Sequence, residues 1–228
     1  MESIVRLSSL KISNIKNVRT GQIVMPCTCQ KHLTYKTAEV LGLYGQNGSG
    51  KTAVIDTLYY LQKIMIGCTL EEEIEDYIDA GSNQAEIMAD FNIFIETVIY
   101  EVCYRIILQR SGHGANIAQE TLSCAISKDD YRSNKTVFMD YRRSNRETVF
   151  IPKKRLDEIV EANAENKTDL VVARKIAEKS NCSYIFGESS REIFCQNYEN
   201  HFKDYAEVIK ALFQFALKDL FVIRNTHS

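Results

Sequence analysis

Between Leu41 and Leu61 the chain reads Leu41-Gly42-Leu43-Tyr44-Gly45-Gln46-Asn47-Gly48-Ser49-Gly50-Lys51-Thr52, then Ala53-Val54-Ile55-Asp56-Thr57-Leu58-Tyr59-Tyr60-Leu61. Gly45, Gly50, Lys51 and Thr52 fall on the spacing G-x-x-x-x-G-K-[ST], that of a phosphate-binding loop. The flanks suit that role. The apolar run Val40 to Tyr44 predicts a buried strand entering the loop, and Val54, Leu58, Leu61 and Met65 recur at helical spacing after it. Glycines let the backbone curl until its N–H groups face inward, and the helix adds the positive end of its dipole. In such a frame Gly45, Asn47, Gly48, Ser49 and Gly50 shape the cradle. Lys51 reaches the β- and γ-phosphates as the catalytic cation, and the Thr52 hydroxyl ligates Mg²⁺. The expected cofactors are ATP and Mg²⁺.

Composition restricts partners and compartment more than chemistry. In 228 residues, 45% hydrophobic and 25% charged, a core of ordinary globular size is available. A formal net charge of −2 predicts no global attraction to nucleic acid, while leaving room for a local basic groove. The cysteines at positions 27, 29, 68, 103, 124, 182 and 195 are scattered and odd in number, with Cys27-Thr28-Cys29 the one close pair. That distribution points to reduced thiols rather than to a disulfide framework or a zinc site. The N-terminus lacks the pattern of a signal peptide and no apolar run approaches the length of a membrane span. The expectation is a soluble, cytoplasmic protein with no membrane partner.

Taken in order, Leu7 to Ile12 and Val18 to Met25 read as a strand pair ahead of the loop. The acidic tract Glu71-Glu72-Glu73-Ile74-Glu75-Asp76 reads as a solvated helix face. Ile87, Ala89, Phe91, Ile93 and Ile95 alternate with polar positions, and so do Val98, Tyr100, Val102, Tyr104 and Ile106. The phase flips at Glu96-Thr97, which predicts a hairpin there. Further strands are expected at Thr121 to Ile126, Lys135 to Tyr141 and Thr148 to Ile151, with turns at Gly112-His113-Gly114 and Lys128-Asp129-Asp130. Helices are expected after Pro152, the last from about Arg191 to Leu220. The expected organisation is one incomplete ATPase domain. Residues 1–85 carry the first strands, the loop and its helix, 86–151 an antiparallel β arm, and 152–228 a helical segment.

The spelling Gly-Gln-Asn-Gly-Ser-Gly-Lys-Thr is narrower than the general pattern and resembles the loop of ABC-type ATPases. Within them it resembles the RecF/SMC-like branch, with the OLD-family nucleases and related AAA-type ATP-binding proteins of bacterial phage defence. Leu10-Lys11-Ile12-Ser13-Asn14-Ile15-Lys16-Asn17 is similar to the opening strand of that branch, with Ile15 in place of its usual aromatic residue. The resemblance implies a P-loop NTPase of ABC/RecF-like type, an α/β fold with a mixed sheet and an antiparallel β arm followed by helices. It implies that Lys16 faces the nucleotide. It also implies that a homodimer or a second ATPase lobe completes the site, and that an effector nuclease or toxin, with DNA or RNA, is served by it. Two parts of the family pattern are missing. There is no Leu-Ser-Gly signature, since Leu122-Ser123-Cys124 lacks the glycine, and no Walker B strand ending in Asp-Glu. Val137-Phe138-Met139-Asp140 is followed by Tyr141 and reads as a strand of the arm, and Phe221-Val222-Ile223 with Thr226-His227 as an apolar strand end.

The leading expectation is an ATP-binding, potentially ATP-hydrolysing module that gates or powers a nucleic-acid-directed effector. A non-catalytic ATP switch, or a truncated ATPase, fits the missing signature. A small-molecule or nucleotide kinase fits the length, but not the β preamble, the long arm or the lack of an arginine-rich lid. Arg142-Arg143 and Lys153-Lys154-Arg155 read as solvated faces before they read as phosphate contacts.

Overall fold

The computed structural model describes residues 3–26, 40–112, 114–129, 131–144, 153–162, 164–196 and 203–224. The two leading strands form as a hairpin, β1 (Ile4–Ile15) and β2 (Val18–Val24). The arm supplies β3 (Gln84–Ile95), β4 (Val98–Ser111), β5 (Gly114–Lys128), β6 (Tyr131–Arg132) and β7 (Thr136–Arg142). All seven join one sheet in the order β2-β1-β3-β4-β5, with β6 and β7 both pairing β5. The phase flip in the sequence is the β3–β4 turn: Ile95 pairs with Val98, and Glu96 takes a left-handed φ of 53°.

Every strand pairing among the described residues is antiparallel, which corrects the expected mixed sheet. The element that would have added a parallel strand is Val40 to Tyr44. It is not a strand and it is not buried: Val40 is 89% and Tyr44 96% exposed. A parallel strand needs a neighbour reached through a crossover, and no described segment lies beside this one as a strand.

Alternation puts Ile87, Ala89, Phe91 and Ile93 of β3 and Val102, Tyr104, Ile106 and Leu108 of β4 on one buried face. Against it lie α1 (Lys51–Met65), α3 (Asn166–Ser180), α4 (Glu188–Gln196) and α5 (Lys203–Gln214), while α2 (Lys153–Ala162) lies against α3. The last helix is not continuous from Arg191. It ends in a π-helical turn, Phe215–Asp219, whose Phe215 meets Phe91 edge-on at 5.8 Å. Phe138 stacks on Tyr205 at 4.1 Å and Tyr141 on Tyr184 at 5.3 Å, so aromatic pairs join helices to sheet. The acidic tract is a short 3-10 helix, Glu72–Tyr77, solvated on its acidic side but burying Ile74 and Tyr77.

A bulge in the arm re-aims side chains. In β5, Leu108 pairs with Ile117 and Ile107 with Gln119, so Ala118 is an extra residue and the inward phase shifts. Glu120 therefore points into the core beside Leu122 and Cys124. The strand expected at Thr148 to Ile151 and the pair Cys27-Cys29 lie outside the described residues.

Candidate functional site

The loop at Gly45–Gly50 is built by local rules. Gly48 and Gly50 adopt φ of 84° and 90°, left-handed values that an L side chain takes only with strain. Gly50 caps α1, which begins at Lys51, and a Cβ on Gly50 would stand 2.6 Å from Val18 Cγ2. At Gly45 a Cβ would stand 2.6 Å from Ser49 Oγ. A side chain at Gly50 is thus opposed by both the backbone and Val18, and one at Gly45 would displace the Ser49 hydroxyl.

Lys51 folds back over the curl. Its ammonium donates to the Gly45 carbonyl at 2.6 Å, the Gln46 carbonyl at 2.7 Å and Ser49 Oγ at 3.2 Å. Thr52 is exposed in the first turn of α1, and Asn47 is exposed at the loop tip. Gly45, Asn47, Gly48, Ser49, Gly50, Lys51 and Thr52 therefore form one continuous surface at the N-terminus of a 15-residue helix. Orphan N–H groups and the helix dipole make such an end favourable for an anion.

The β1–β2 hairpin lies against this loop. The Asn17 side-chain amide donates to the Gly48 carbonyl. A cavity of about 240 Å³ opens between hairpin and loop, lined by Leu10, Ile12, Val18 and Ile23 on one side and Leu43, Tyr44, Ser49 and Lys51 on the other. Gln22 supplies a polar group to an otherwise apolar wall. Asn17 and Gln22 were not singled out by sequence reasoning. Only their position in a hairpin beside the glycine loop could have marked them.

Lys16 stands next to Asn17, at a left-handed φ of 50°. Its N–H is held by the Tyr77 carbonyl at 2.9 Å, and its ammonium is ion-paired with Oδ2 of Asp56 on α1. Oδ1 of the same carboxylate accepts from Arg224 Nε at 2.8 Å. Asp56 was read in sequence only as part of a helix. Its side chain is 4% exposed, and a buried carboxylate needs such partners.

The other candidates fall elsewhere. Asp140 lies on β7, four strands from β1, or about 19 Å at the usual strand spacing. It is engaged by Gln119 at 2.9 Å, Thr121 at 3.2 Å and Arg142 at 2.9 Å, all within the arm. Arg143 donates to the Glu178 carbonyl at 2.8 Å, so neither arginine of that pair stands as a free phosphate ligand. The side chains of Lys153, Lys154 and Arg155, and Thr226 and His227, lie outside the described residues. Among the described residues no group of three or more His, Cys, Asp or Glu side chains could hold a metal, and no helix is long and apolar enough to cross a membrane.

No protein-family model matches the chain. The chain is 34% identical over 86 residues to the DNA replication and repair protein RecF of Deinococcus radiodurans. The match takes in 38% of this chain but only 20% of that protein, which is evidence of a distant relation to RecF.

Proposed function

We propose that this chain is the nucleotide-binding part of an ATPase related to RecF, and that Gly45–Thr52 is its phosphate-binding loop. The observation that carries the reading is the Lys51 ammonium laid over a curl of left-handed glycines at the start of α1. There it stands where the β- and γ-phosphates of ATP would meet backbone N–H groups. The similarity to RecF over a limited stretch supports ATP as the ligand.

The cradle suits the group it is proposed to hold, because left-handed Gly48 and Gly50 curl the backbone ahead of α1 and Lys51 brings a cation onto the curl. The 240 Å³ cavity is smaller than the roughly 300–1,000 Å³ that encloses a whole drug-sized ligand. It suits the base alone, between the hairpin's apolar side chains and Leu43, with Gln22 as its hydrogen-bonding partner. Thr52, exposed in the first turn of α1, would be the hydroxyl that holds Mg²⁺, and the ion would supply charge neutralisation to the phosphates. Lys51 holds the phosphates, the hairpin excludes water from the base, and Lys16 lies one residue from the loop contact at Asn17.

We further infer that this is half of a site. Val40 to Tyr44 joins no strand of the described sheet, and Phe221 and Ile223 stand 82% and 87% exposed. Exposed apolar side chains of this kind suit a surface that a partner covers. The proposed occupant is a second ATPase lobe, carried by further polypeptide or a second copy.

Calorimetric titration of MgATP into the chain and into Lys51→Ala tests the nucleotide reading. Binding by the first that is lost or weakened at least tenfold in the second is expected. Equal affinities would remove the assignment. Turnover by the chain alone, abolished in Lys51→Ala, would instead mean that self-association completes the site.

A further inference from the structure

Asp56 is a buried carboxylate with two cations from opposite ends of the chain, one on each oxygen. Lys16 on Oδ2 comes from the β1–β2 turn, and Arg224 on Oδ1 from the extended segment Leu220–Arg224. The two cations are held differently. The Arg224 guanidinium also lies 4.3 Å from the centre of the Tyr59 ring, a cation–π contact one turn along α1. Its segment is anchored by Gln62, whose Nε2 donates to the Ala216 carbonyl at 3.0 Å and to the Leu220 carbonyl. Lys16 has a fixed backbone, through its N–H to Tyr77, but a flexible side chain 37% exposed. Its neighbour Asn17 touches the loop at Gly48. A lysine stem pivoting there would carry its ammonium off Asp56 on the side of the turn that Asn17 fastens to the loop.

We propose that Arg224 controls whether Lys16 is available to a phosphate on the loop, with Asp56 as the positioning residue between them. This rests on the nucleotide-binding reading above. With Leu220–Arg224 docked on α1, Arg224 keeps the Asp56 carboxylate compensated while Lys16 leaves for the phosphates. With the segment undocked, Lys16 is the one remaining cation on that carboxylate among the described residues. Removing it would strand a buried charge, which is strongly unfavourable, so Lys16 stays with Asp56. Docking of the segment and binding of the nucleotide therefore favour one another. Linkage makes the coupling reciprocal, with the usual size for two coupled sites being about 5- to 150-fold in affinity.

The backbone at Lys16 is set by the two-residue hairpin turn between Ile15 and Val18, whose favoured types place the first residue at positive φ. Its N–H is held by the Tyr77 carbonyl, and Tyr77 is itself tied to α1 by its hydroxyl donating to Thr57 Oγ1 at 2.6 Å. The pivot is thus fixed to the same helix that carries Asp56, and only the ammonium is free to change partner.

The test is a double-mutant cycle on the full chain, read by MgATP titration and by amide exchange of Leu220–Arg224. Arg224→Gln is expected to weaken MgATP binding at least fivefold. Asp56→Asn, which needs no counter-ion, is expected to bind at least as well as the wild-type chain. In the Asp56→Asn background Arg224→Gln should then have no effect. MgATP should also slow exchange at Leu220–Arg224 in the wild-type chain, but not in Asp56→Asn. A loss from Arg224→Gln of equal size in both backgrounds, or none in the wild type, overturns the proposal while leaving nucleotide binding intact. Failure of the wild-type chain to bind MgATP, with Lys51→Ala indistinguishable from it, overturns the nucleotide reading and this proposal with it. Thermal melts of each variant separate lost folding from lost coupling, and slowed exchange at Leu220–Arg224 on adding MgATP, absent in Asp56→Asn, is an effect a merely structural Arg224 would not produce.

Discussion

The side-chain amide of Asn17 donates to the carbonyl oxygen of Gly48, so the turn between the first two strands is fastened to the tip of the glycine loop. The contact joins a β-hairpin to the start of a helix beside a cavity, and the neighbouring Lys16 is ion-paired with Asp56 of that helix. Four outcomes, beyond the titrations above, follow from the geometry around this junction and its supports.

Gly50→Ala should lower both stability and nucleotide affinity. The left-handed backbone at Gly50 costs an L residue about 1–2 kcal/mol, and the added methyl meets Val18 Cγ2 at 2.6 Å. A thermal melt should fall by several degrees. Gly112→Ala is the matched control, since a Cβ there has nothing within 4 Å, and its melt should not move. Identical melts for the two variants would mean that the loop is not held in this conformation.

Gly67→Ala should destabilise without touching the loop. Gly67 follows α1 at φ 75°, and a Cβ there would stand 2.7 Å from the Phe186 carbonyl oxygen, a backbone atom that cannot rotate away. A loss of about 2 kcal/mol corresponds to roughly 4–8 °C in a chain of this size. MgATP affinity measured well below the melting temperature should stay within twofold of the wild type.

Glu120 makes stability depend on pH. It is fully buried, accepting from the Tyr104 hydroxyl, from Ser183 Oγ at 2.6 Å and from the Tyr184 N–H at 2.7 Å. Burial pushes its carboxyl above the ordinary value near 4.5, against the opposing pull of those donors. The folded chain therefore binds this proton more tightly than the unfolded chain. Its contribution is full below the ordinary carboxylate value and is lost as pH rises through the folded-state value. Urea melts across that range should show wild-type stability falling relative to Glu120→Gln, which keeps the shape without the charge. Glu120→Ala, which leaves two hydroxyls and an N–H unpaired, should cost about 3 kcal/mol or more at any pH. A pH-independent difference between wild type and Glu120→Gln would contradict the raised carboxyl.

Val40→Ser and Tyr44→Ser should each leave the melting behaviour of the chain within about 0.5 kcal/mol of wild type, because both side chains are exposed. A drop of several degrees in either would show that the segment packs as a strand in solution.

Much of the architecture was legible because it is local. The period-2 runs of β3 and β4 and the phase flip at Glu96-Thr97 are properties of consecutive residues, and so is the helical spacing after Lys51. Asp140, read from its neighbours as a strand residue of the arm, sits on β7 with its oxygens engaged there. The candidate loop was legible for the same reason. Its glycines, lysine and threonine are adjacent, and left-handed φ at Gly48 and Gly50 is a local backbone requirement.

What adjacency does not encode went unseen or was misread. Val40 to Tyr44 has the composition of a buried strand, yet burial depends on a partner, and none of the described strands pairs with it. Glu120 alternates as a surface residue would until the extra Ala118 turns it inward, an effect of register between two strands. Asp56 reads as one more polar residue on a helix, but the turn at Lys16 and the segment ending at Arg224 converge on it from both sides. The sequence by itself determined the glycine curl, its lysine and the alternation of the arm, because those follow from backbone sterics and residue period. The tertiary structure alone decided which strands found partners, which carboxylate was buried and which cations reached it. Pairing, burial and charge compensation are relations between segments far apart in the chain, and only the packed fold brings those segments together.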